Sequence, residues 1–289
     1  MVTQEDIKMK IGFIGAGKVG FSLGRYFVGN GLEVSGYYCR NVQSSAEAAK
    51  FTGTKFYDNV AELVKDSDVI FIVVPDGAIT ENYYAIRELG IGGKQLCHCS
   101  GALSAAEAFP DIRKYGAEGC SVHPLFPISS KYDSHRELKN AFFCIEGDEA
   151  AAAEWKGILD KMGNPTRLIS GSAKSEYHAA CAVSSNLVCA LAAESLSLMG
   201  KCGFSEKEAL SALEPLIISN IRRILAVGPT EALTGPVERN DVMTVRRHLE
   251  CIEAGADREM YRAVSRKLVE LAQKKHPDSD YTEMRRLLK

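Results

Sequence analysis

Three glycines near the N-terminus form the clearest chemical pattern in the sequence. Gly15, Gly17 and Gly20 follow an apolar stretch and open a stretch with helical periodicity. Between a strand and a helix, the first glycine permits a tight turn, the second lets the backbone approach a pyrophosphate, and the third allows the helix to pack closely on the sheet. The unpaired N–H groups of the helix then face the anion. We therefore expect a dinucleotide to bind at Gly15, Ala16, Gly17, Lys18, Val19 and Gly20.

Arg40 indicates which dinucleotide this would be. A site for NAD usually has an acidic residue about 20 positions past the glycines, where it binds the ribose 2′-hydroxyl. Arg40 stands there instead, and no acidic residue occurs between Glu33 and Glu47. A guanidinium, helped by Ser44 or Ser45, suits a 2′-phosphate. The sequence therefore favours NADP (NADPH) over NAD, with a solvated surface arginine as the alternative.

The ends of two expected strands supply further candidates. Val74 and Pro75 end the apolar run DVIFIVV, and Ser100 ends the next strand. In a doubly wound sheet the carboxyl ends of the strands line the ligand crevice. We expect these three residues along the cofactor, with Ser100 also touching substrate. His123, in a loop before Pro124, is a further candidate for the substrate pocket, although a proline-stiffened loop is an adequate structural explanation.

Lys174 and His178 are the catalytic candidates. They are four residues apart on a predicted helix and so share one face, and Ser185 lies close to the same stripe as a substrate contact. His178 could pass a proton to a carbonyl or imine as hydride arrives. Lys174 could supply the same proton or stabilise a developing oxyanion. The alternative is a solvated first-turn lysine beside a satisfied, partly buried histidine.

Two other segments contain residue types suited to binding. Arg239, in the turn LTGPVERND, could hold a substrate carboxylate at the start of a helix that Asp241 caps. The run Cys97-His98-Cys99 has metal-ligand residue types. Alternation along a strand, however, points His98 away from the two cysteines, and no second cluster follows at a zinc-like spacing. We expect no metal site.

These residues require two kinds of domain to position them. Strands alternate with helices in the first half, which predicts an α/β fold with a doubly wound (Rossmann) parallel sheet over residues 1–167. After Pro165 no strand is predicted, so residues 168–289 should form an all-α domain, with a capping box at Ser205 and a break or kink at Pro215. The predicted strands are Lys10–Ile14, Glu33–Cys39, Thr54–Phe56, Asp68–Val74, Gln95–Ser100 and Phe142–Glu146.

Composition excludes several classes of protein. The 289 residues include 35 Lys and Arg against 37 Asp and Glu, a net charge of −2 that gives no support for nucleic-acid binding. The uninterrupted apolar runs fall short of the roughly 18 residues of a membrane span, and the polar N-terminus does not suit a signal peptide. Nine scattered cysteines are typical of reduced thiols. We expect a cytoplasmic protein with no membrane partner.

Several segments resemble known families. The glycine turn, DVIFIVVPD and HCSGA resemble the superfamily of 6-phosphogluconate and β-hydroxyacid dehydrogenases and pyrroline-5-carboxylate reductases. SVHPL, AKSEYHAACAVSSN and ALTGPVERNDVMTVRRHL resemble a narrower bacterial family of Rossmann-like proteins, whose helical C-terminal domain was long of unknown function. The resemblance implies an NADP-dependent oxidoreductase that forms a homodimer through the helical domain. The superfamily's usual asparagine, four residues after its lysine, is replaced here by His178.

Three functions follow from these features. The leading one is NADPH-dependent reduction of a small 2-oxo acid, with ketopantoate (2-dehydropantoate) as the best single example, since some members of the family are reported to reduce it. The second is reduction of an imine, as in pyrroline-5-carboxylate reductase, which needs less of an acid because an imine can arrive protonated. The third is an NADPH-binding sensor without catalysis, for which the stripe of Lys174 and His178 would have no obvious use.

Overall fold

The computed structural model describes residues 9–289. The chain forms two compact units that divide after Ser184. The composition change at Pro165 instead comes just before the last strand, and the helical residues up to Ser184 stay with the first unit. One reason is that Lys174 is buried in that unit and bonded to Ser100 and Ser121, which belong to the same unit.

The first unit is built on one sheet of eight strands in the order β3-β2-β1-β4-β5-β6-β7-β8. All neighbouring strands are parallel except β6 and β7. The doubly wound α/β prediction is confirmed. The strands are β1 (Lys10–Ile14), β2 (Glu33–Tyr38), β3 (Lys55–Phe56), β4 (Val69–Ile72), β5 (Gln95–His98), β6 (Glu118–Leu125), β7 (Phe142–Gly147) and β8 (Thr166–Leu168).

Helices cover both faces of this sheet, so that each face has its own apolar core. Along β4, Val69 and Phe71 join one cluster and Ile70 and Ile72 join the other, as the two-residue period of a strand requires. Trp155 is fully buried in the first cluster, in agreement with its predicted packing role. The helices of this unit are α1 (Lys18–Gly29), α2 (Val42–Thr52), α3 (Val60–Asp66), α4 (Ile79–Ile86), α5 (Ala105–Ala108), α6 (Glu149–Lys161) and α7 (Lys174–Ser184).

Strands β6 and β8 were not predicted, and β6 changes the setting of His123. The sequence placed His123 and Pro124 in a loop, whereas both lie in β6. Pro124 disguised the strand because proline cannot donate to a ladder. The pairing of β6 with β5 ends at Ser121, so Pro124 stands where β6 has the antiparallel β7 as its one neighbour in the sheet. A proline is tolerated at such an edge.

The second unit is helical, with α8 (Asn186–Lys201), α9 (Glu206–Ala232), α10 (Val242–Cys251), α11 (Ala256–Lys275) and α12 (Thr282–Leu287). The capping box of Ser205 with Glu208 is confirmed. The expected break at Pro215 is wrong, because α9 continues through it. The non-helical residue is Gly228 (φ 79°), which precedes Pro229. A proline disfavours the helical conformation of the residue before it, and glycine accepts the positive φ.

One helical segment of residues 9–289 has the length and composition of a membrane span. It runs over Gly171–Lys201, and an 18-residue window in it has a mean hydropathy of 1.5 with no part buried. It contains no uninterrupted apolar run of that length, because serine and other polar residues are interspersed, although the average over the window stays high. Length and composition alone are weak support for membrane insertion, because helices of soluble proteins pass the same test.

Candidate active site

The glycine turn has the geometry of a dinucleotide cradle. Gly15 has φ 113°, and a Cβ atom there would lie 2.6 Å from the carbonyl oxygen of Val73. A Cβ on Gly20 would lie 2.7 Å from the oxygen of Gly15, whereas a Cβ on Gly17 would meet nothing within 4 Å. Packing therefore requires Gly15 and Gly20, and Gly17 faces open space. Since the first turn of α1 carries no acidic residue, the turn suits a pyrophosphate.

The remaining cofactor candidates lie around this turn. Ala16 is buried, Lys18 is exposed and Val19 is half-buried at the start of α1. Val74 is half-buried and Pro75 is exposed just after β4, beside the carbonyl of Val73 that packs on Gly15.

Arg40 is exposed after β2, where a cation could meet a 2′-phosphate. Of its two suggested helpers, Ser45 is buried and its hydroxyl donates to the carbonyl of Val42 at 2.9 Å. Ser44 is partly exposed at the start of α2. Of the two serines, Ser44 is therefore the one that could help Arg40 to bind a 2′-phosphate.

The hydroxyl of Ser100 organises the turn after β5. It donates to Oδ2 of Asp76 at 2.7 Å and accepts from the N–H groups of Ala102 at 3.2 Å and Leu103 at 3.0 Å. Ser100 is 5% exposed. Its hydroxyl therefore ties the ends of β4 and β5 together, instead of projecting freely toward a ligand as the sequence suggested.

Lys174 is buried against the ends of β5 and β6. Its Nζ donates to the carbonyl oxygen of Ser100 at 2.8 Å and to Oγ of Ser121 at 2.7 Å, and the residue is 2% exposed. Burial lowers the pKa of Lys174, and the carboxylate of Glu146 partly opposes that shift. The ammonium is thus engaged by two protein oxygens, which differs from the expected position facing a substrate oxyanion.

Two histidines converge on Gly101, and Tyr177 holds one of them. Nδ1 of His123 and Oη of Tyr177 are 2.6 Å apart, with the rings perpendicular at 87°. A Cβ on Gly101 would lie 2.9 Å from Nε2 of His123 and 2.7 Å from Cδ2 of His178. Burial, followed by the charges of Lys174 and His178, lowers the pKa of His123 to about 4. The region around the end of β5 therefore contains a neutral imidazole, that of His123, and beside it the exposed imidazole of His178.

Tyr177 was missed by the sequence reasoning. It stands three residues after Lys174 and so lies on the same helical stripe, which is the signal that would have found it. Burial raises the pKa of its hydroxyl.

Nδ1 of the buried His98 accepts from the N–H of Ser100 at 3.1 Å. Within residues 9–289, no group of three or more His, Cys, Asp or Glu is placed to hold a metal ion.

Ser185 and Arg239 belong to the second unit. Ser185 precedes α8, and its hydroxyl donates to Oδ1 of Asn186 at 3.1 Å. Arg239 is exposed in the turn before α10, where Asp241 accepts from the N–H of Thr244 at 3.0 Å as the predicted N-cap. Their contacts with substrate stay predictions.

The sheet, the glycine turn and the residues around Gly101 together define a Rossmann-type oxidoreductase. Residues 10–90 match the family described as "NADP oxidoreductase coenzyme F420-dependent", and residues 141–268 match the family described as "Domain of unknown function (DUF2520)". These matches confirm the predicted family, which joins a Rossmann-like NADP domain to a helical domain of formerly unknown function. They also confirm the class: the protein is an oxidoreductase and its cofactor is NADP.

Solved structures with this fold include three informative ones. A protein from Thermotoga maritima is 26% identical over 92% of this chain and 99% of its own, with a TM-score of 0.71. An imine reductase from Myxococcus stipitatus in complex with NADP+ is 18% identical over 97% of this chain and 100% of its own, with a TM-score of 0.62. A pyrroline-5-carboxylate reductase from Coxiella burnetii is 14% identical over 93% of this chain and 95% of its own, with a TM-score of 0.58. Comparison with curated proteins gave no match.

Proposed function

We propose that this protein reduces the C=N bond of a small imine with NADPH. The observation that carries the proposal is the position of Lys174, whose ammonium is bonded to Ser100 and Ser121. A carbonyl reductase needs a donor that stabilises developing negative charge on oxygen, and Lys174 was the candidate for that task. A protonated imine carries its own positive charge and needs no such cation. The imine reductase and the pyrroline-5-carboxylate reductase that share the fold add support.

The first unit would bind the cofactor through its glycine turn. The N–H groups at the start of α1 would hold the pyrophosphate above Gly17, and Arg40 would bind the 2′-phosphate. Val74 and Pro75 would lie along the cofactor toward the nicotinamide. When bound, NADPH supplies the hydride that adds to the carbon of the C=N bond.

His178 would supply a proton to substrates that arrive neutral. It is exposed and lies beside Gly101, so it can exchange protons with solvent between turnovers. Lys174 would act one step away from substrate by fixing the ends of β5 and β6. Ser185 and Arg239 would contact the substrate, with the guanidinium binding a carboxylate if there is one.

A 2-oxo acid such as ketopantoate is the second candidate substrate. What favours it is His178, because reduction of a carbonyl always requires a proton for the new hydroxyl group, and the exposed imidazole beside Gly101 is a group that could deliver one.

We also propose that the protein is a homodimer joined through its helical unit. Helix α9 carries a broad apolar face that is exposed to solvent in the single chain, with Leu216 67% exposed and Leu225 81% exposed. A large contiguous apolar surface of this kind is typical of a protein interface. A second copy of the chain would bury this surface together with the exposed Leu187 and Val188 of α8.

The test is a substrate panel that follows the absorbance of reduced nicotinamide. Five- and six-membered cyclic imines, with and without a carboxylate, are compared with 2-oxo acids that include ketopantoate. The proposal predicts turnover of imines with kcat/KM at least tenfold above that of every oxo acid. Faster reduction of ketopantoate would establish the second candidate instead. Tight NADPH binding without turnover of any compound would identify a sensor.

His178→Ala gives the matched test of the proton donor. Its activity should fall more on imines that are mostly neutral at the assay pH than on permanently charged iminium salts, because the latter need no proton. An equal loss on both substrates would refute proton donation by His178.

A further inference from the structure

Two histidines, His123 and His178, lie close to Gly101. We propose that Tyr177 is a positioning residue that fixes one tautomer of His123, so that the Nε2–H of His123 orients the substrate while His178 donates the proton. This inference rests on the proposed reductase function, since orientation has meaning only for a bound substrate. It assigns roles to Tyr177 and His123 that neither the family matches nor the relatives supply.

The first argument concerns the direction of the hydrogen bond. Tyr177 is half-buried, and burial keeps its hydroxyl protonated, so the O–H needs an acceptor. The thiols of Cys144 and Cys181 also lie near this hydroxyl, but sulfur accepts weakly. The strong acceptor is the lone pair of His123 Nδ1 at 2.6 Å. A neutral imidazole that accepts at Nδ1 carries its hydrogen on Nε2.

The second argument concerns where Nε2 lies. It would be 2.9 Å from a Cβ atom on Gly101, so the backbone of that turn and the imidazole are in close contact. His178 approaches the same point from α7, with Cδ2 at 2.7 Å from that Cβ position. The absent side chain of Gly101 thus lets both rings reach the end of β5, where the crevice of a doubly wound sheet binds ligand.

The third argument concerns charge. The titratable groups that face His123 are Lys174, Tyr177 and His178 on α7, His98 on β5 and, through the tyrosine, Cys144 on β7 and Cys181 on α7. The nearby charge of Lys174 opposes a second positive charge on His123. His123 is thereby disfavoured as a proton carrier, while His178 lies exposed to solvent beside it.

The chemical step balances with these roles. The hydride and its electron pair, which NADPH would supply in becoming NADP+, would add to the imine carbon. The π electrons would move to nitrogen, and the nitrogen of an imine that arrived neutral would take a proton from the imidazolium of His178. His178 then recovers a proton from solvent. His123 keeps its Nε2 hydrogen throughout and loses no bond, so its contribution is alignment of the C=N bond.

Nitrogen-15 NMR of the full-length protein labelled in its six histidines tests the tautomer directly. His123, assigned from His123→Gln, should show the Nε2–H pattern from about pH 5.5 to 8 without titrating. Tyr177→Phe should convert it to a mixture of tautomers. A wild-type His123 in the Nδ1–H form, one that titrates in this range, or one that Tyr177→Phe leaves unchanged would overturn the inference.

The chain offers a matched control. His248 Nδ1 and Tyr261 Oη are 2.7 Å apart with rings at 89°, in the second unit. Tyr261→Phe should therefore alter the signals of His248 and leave those of His123 unchanged. If it altered those of His123, the effect of Tyr177→Phe could not be assigned to the direct bond, and the inference would fail.

Kinetics provide the functional arm. Tyr177→Phe should lower kcat about tenfold, the value of one hydrogen bond of ~1.4 kcal/mol, with little change in the Kd for NADPH. Full activity in Tyr177→Phe would refute the positioning role. If wild-type protein reduces no substrate, the proposed function fails, whereas the NMR result still decides whether Tyr177 sets the tautomer.

Discussion

Replacing Lys174 by methionine separates a structural lysine from a substrate-facing one. Methionine keeps most of the volume and removes the ammonium, so the carbonyl of Ser100 and the hydroxyl of Ser121 each lose a charged donor. Each such bond is worth about 1.5–3 kcal/mol. The desolvation cost of the buried ammonium, which lowers its pKa, disappears at the same time and offsets part of that loss. Ser100 also still accepts from Ser121 at 3.2 Å.

We therefore expect Lys174→Met to lose about 2 kcal/mol of unfolding free energy, which lowers Tm by about 4–8 °C for a unit of this size. Thermal and urea unfolding measure this loss. Lys156→Met is the control, because Lys156 forms an exposed ion pair with Asp160 in the same unit. Such surface pairs contribute at most about 1 kcal/mol.

The pH dependence of this loss has a defined sign. The folded-state pKa of Lys174 lies below its ordinary value of 10.5, so between the two values the unfolded chain binds more protons. Stability then rises with pH in that window. The advantage of wild type over Lys174→Met should accordingly grow as the pH approaches 10.5. An unchanged Tm together with a loss of kcat above about 10³-fold would refute the structural assignment and restore Lys174 as a catalytic residue.

Other substitutions test the cofactor site and the dimer. Gly17→Ala should weaken NADPH binding about 100-fold at nearly unchanged Tm. Gly20→Ala should instead cost about 1–3 kcal/mol of unfolding free energy, because its Cβ would meet the oxygen of Gly15. Similar effects of the two substitutions in NADPH titrations and in thermal melting would contradict this. Arg40→Ala should raise the Kd for NADPH at least tenfold and leave that for NADH unchanged, and a parallel loss for both would remove the 2′-phosphate contact. Leu216→Glu with Leu225→Glu should turn a dimer into a monomer in sedimentation equilibrium, and a monomeric wild type would refute the interface.

The parts of the fold that local sequence determines were predictable. The conformation of the glycine turn depends on residues within it, and the apolar run of β4 leaves no alternative to a buried strand. The capping box at Ser205 is equally local. Strand β6 was not predictable in the same way, because the place of Pro124 depends on where the pairing with β5 ends.

The candidate site shows the same division. The helical spacing of Lys174 and His178 predicted a shared stripe, and both residues do lie at the ends of the strands. The spacing of two residues along a helix does not determine how deeply each side chain is buried, however. The burial of Lys174 depends on Ser100 and Ser121, which are 74 and 53 residues away in the chain. The role of Tyr177 likewise depends on His123 of β6, a strand that the sequence did not reveal.

The division of the chain after Ser184 has a consequence for protein engineering. Helix α7, with Lys174, Tyr177 and His178, remains with the nucleotide-binding unit. A chimera joined after Ser184 would therefore keep the groups that we propose for proton transfer and alignment in one unit with the cofactor cradle. The family matched over residues 141–268 crosses that point, so a chimera joined at the family boundary would instead separate α7 from the glycine turn.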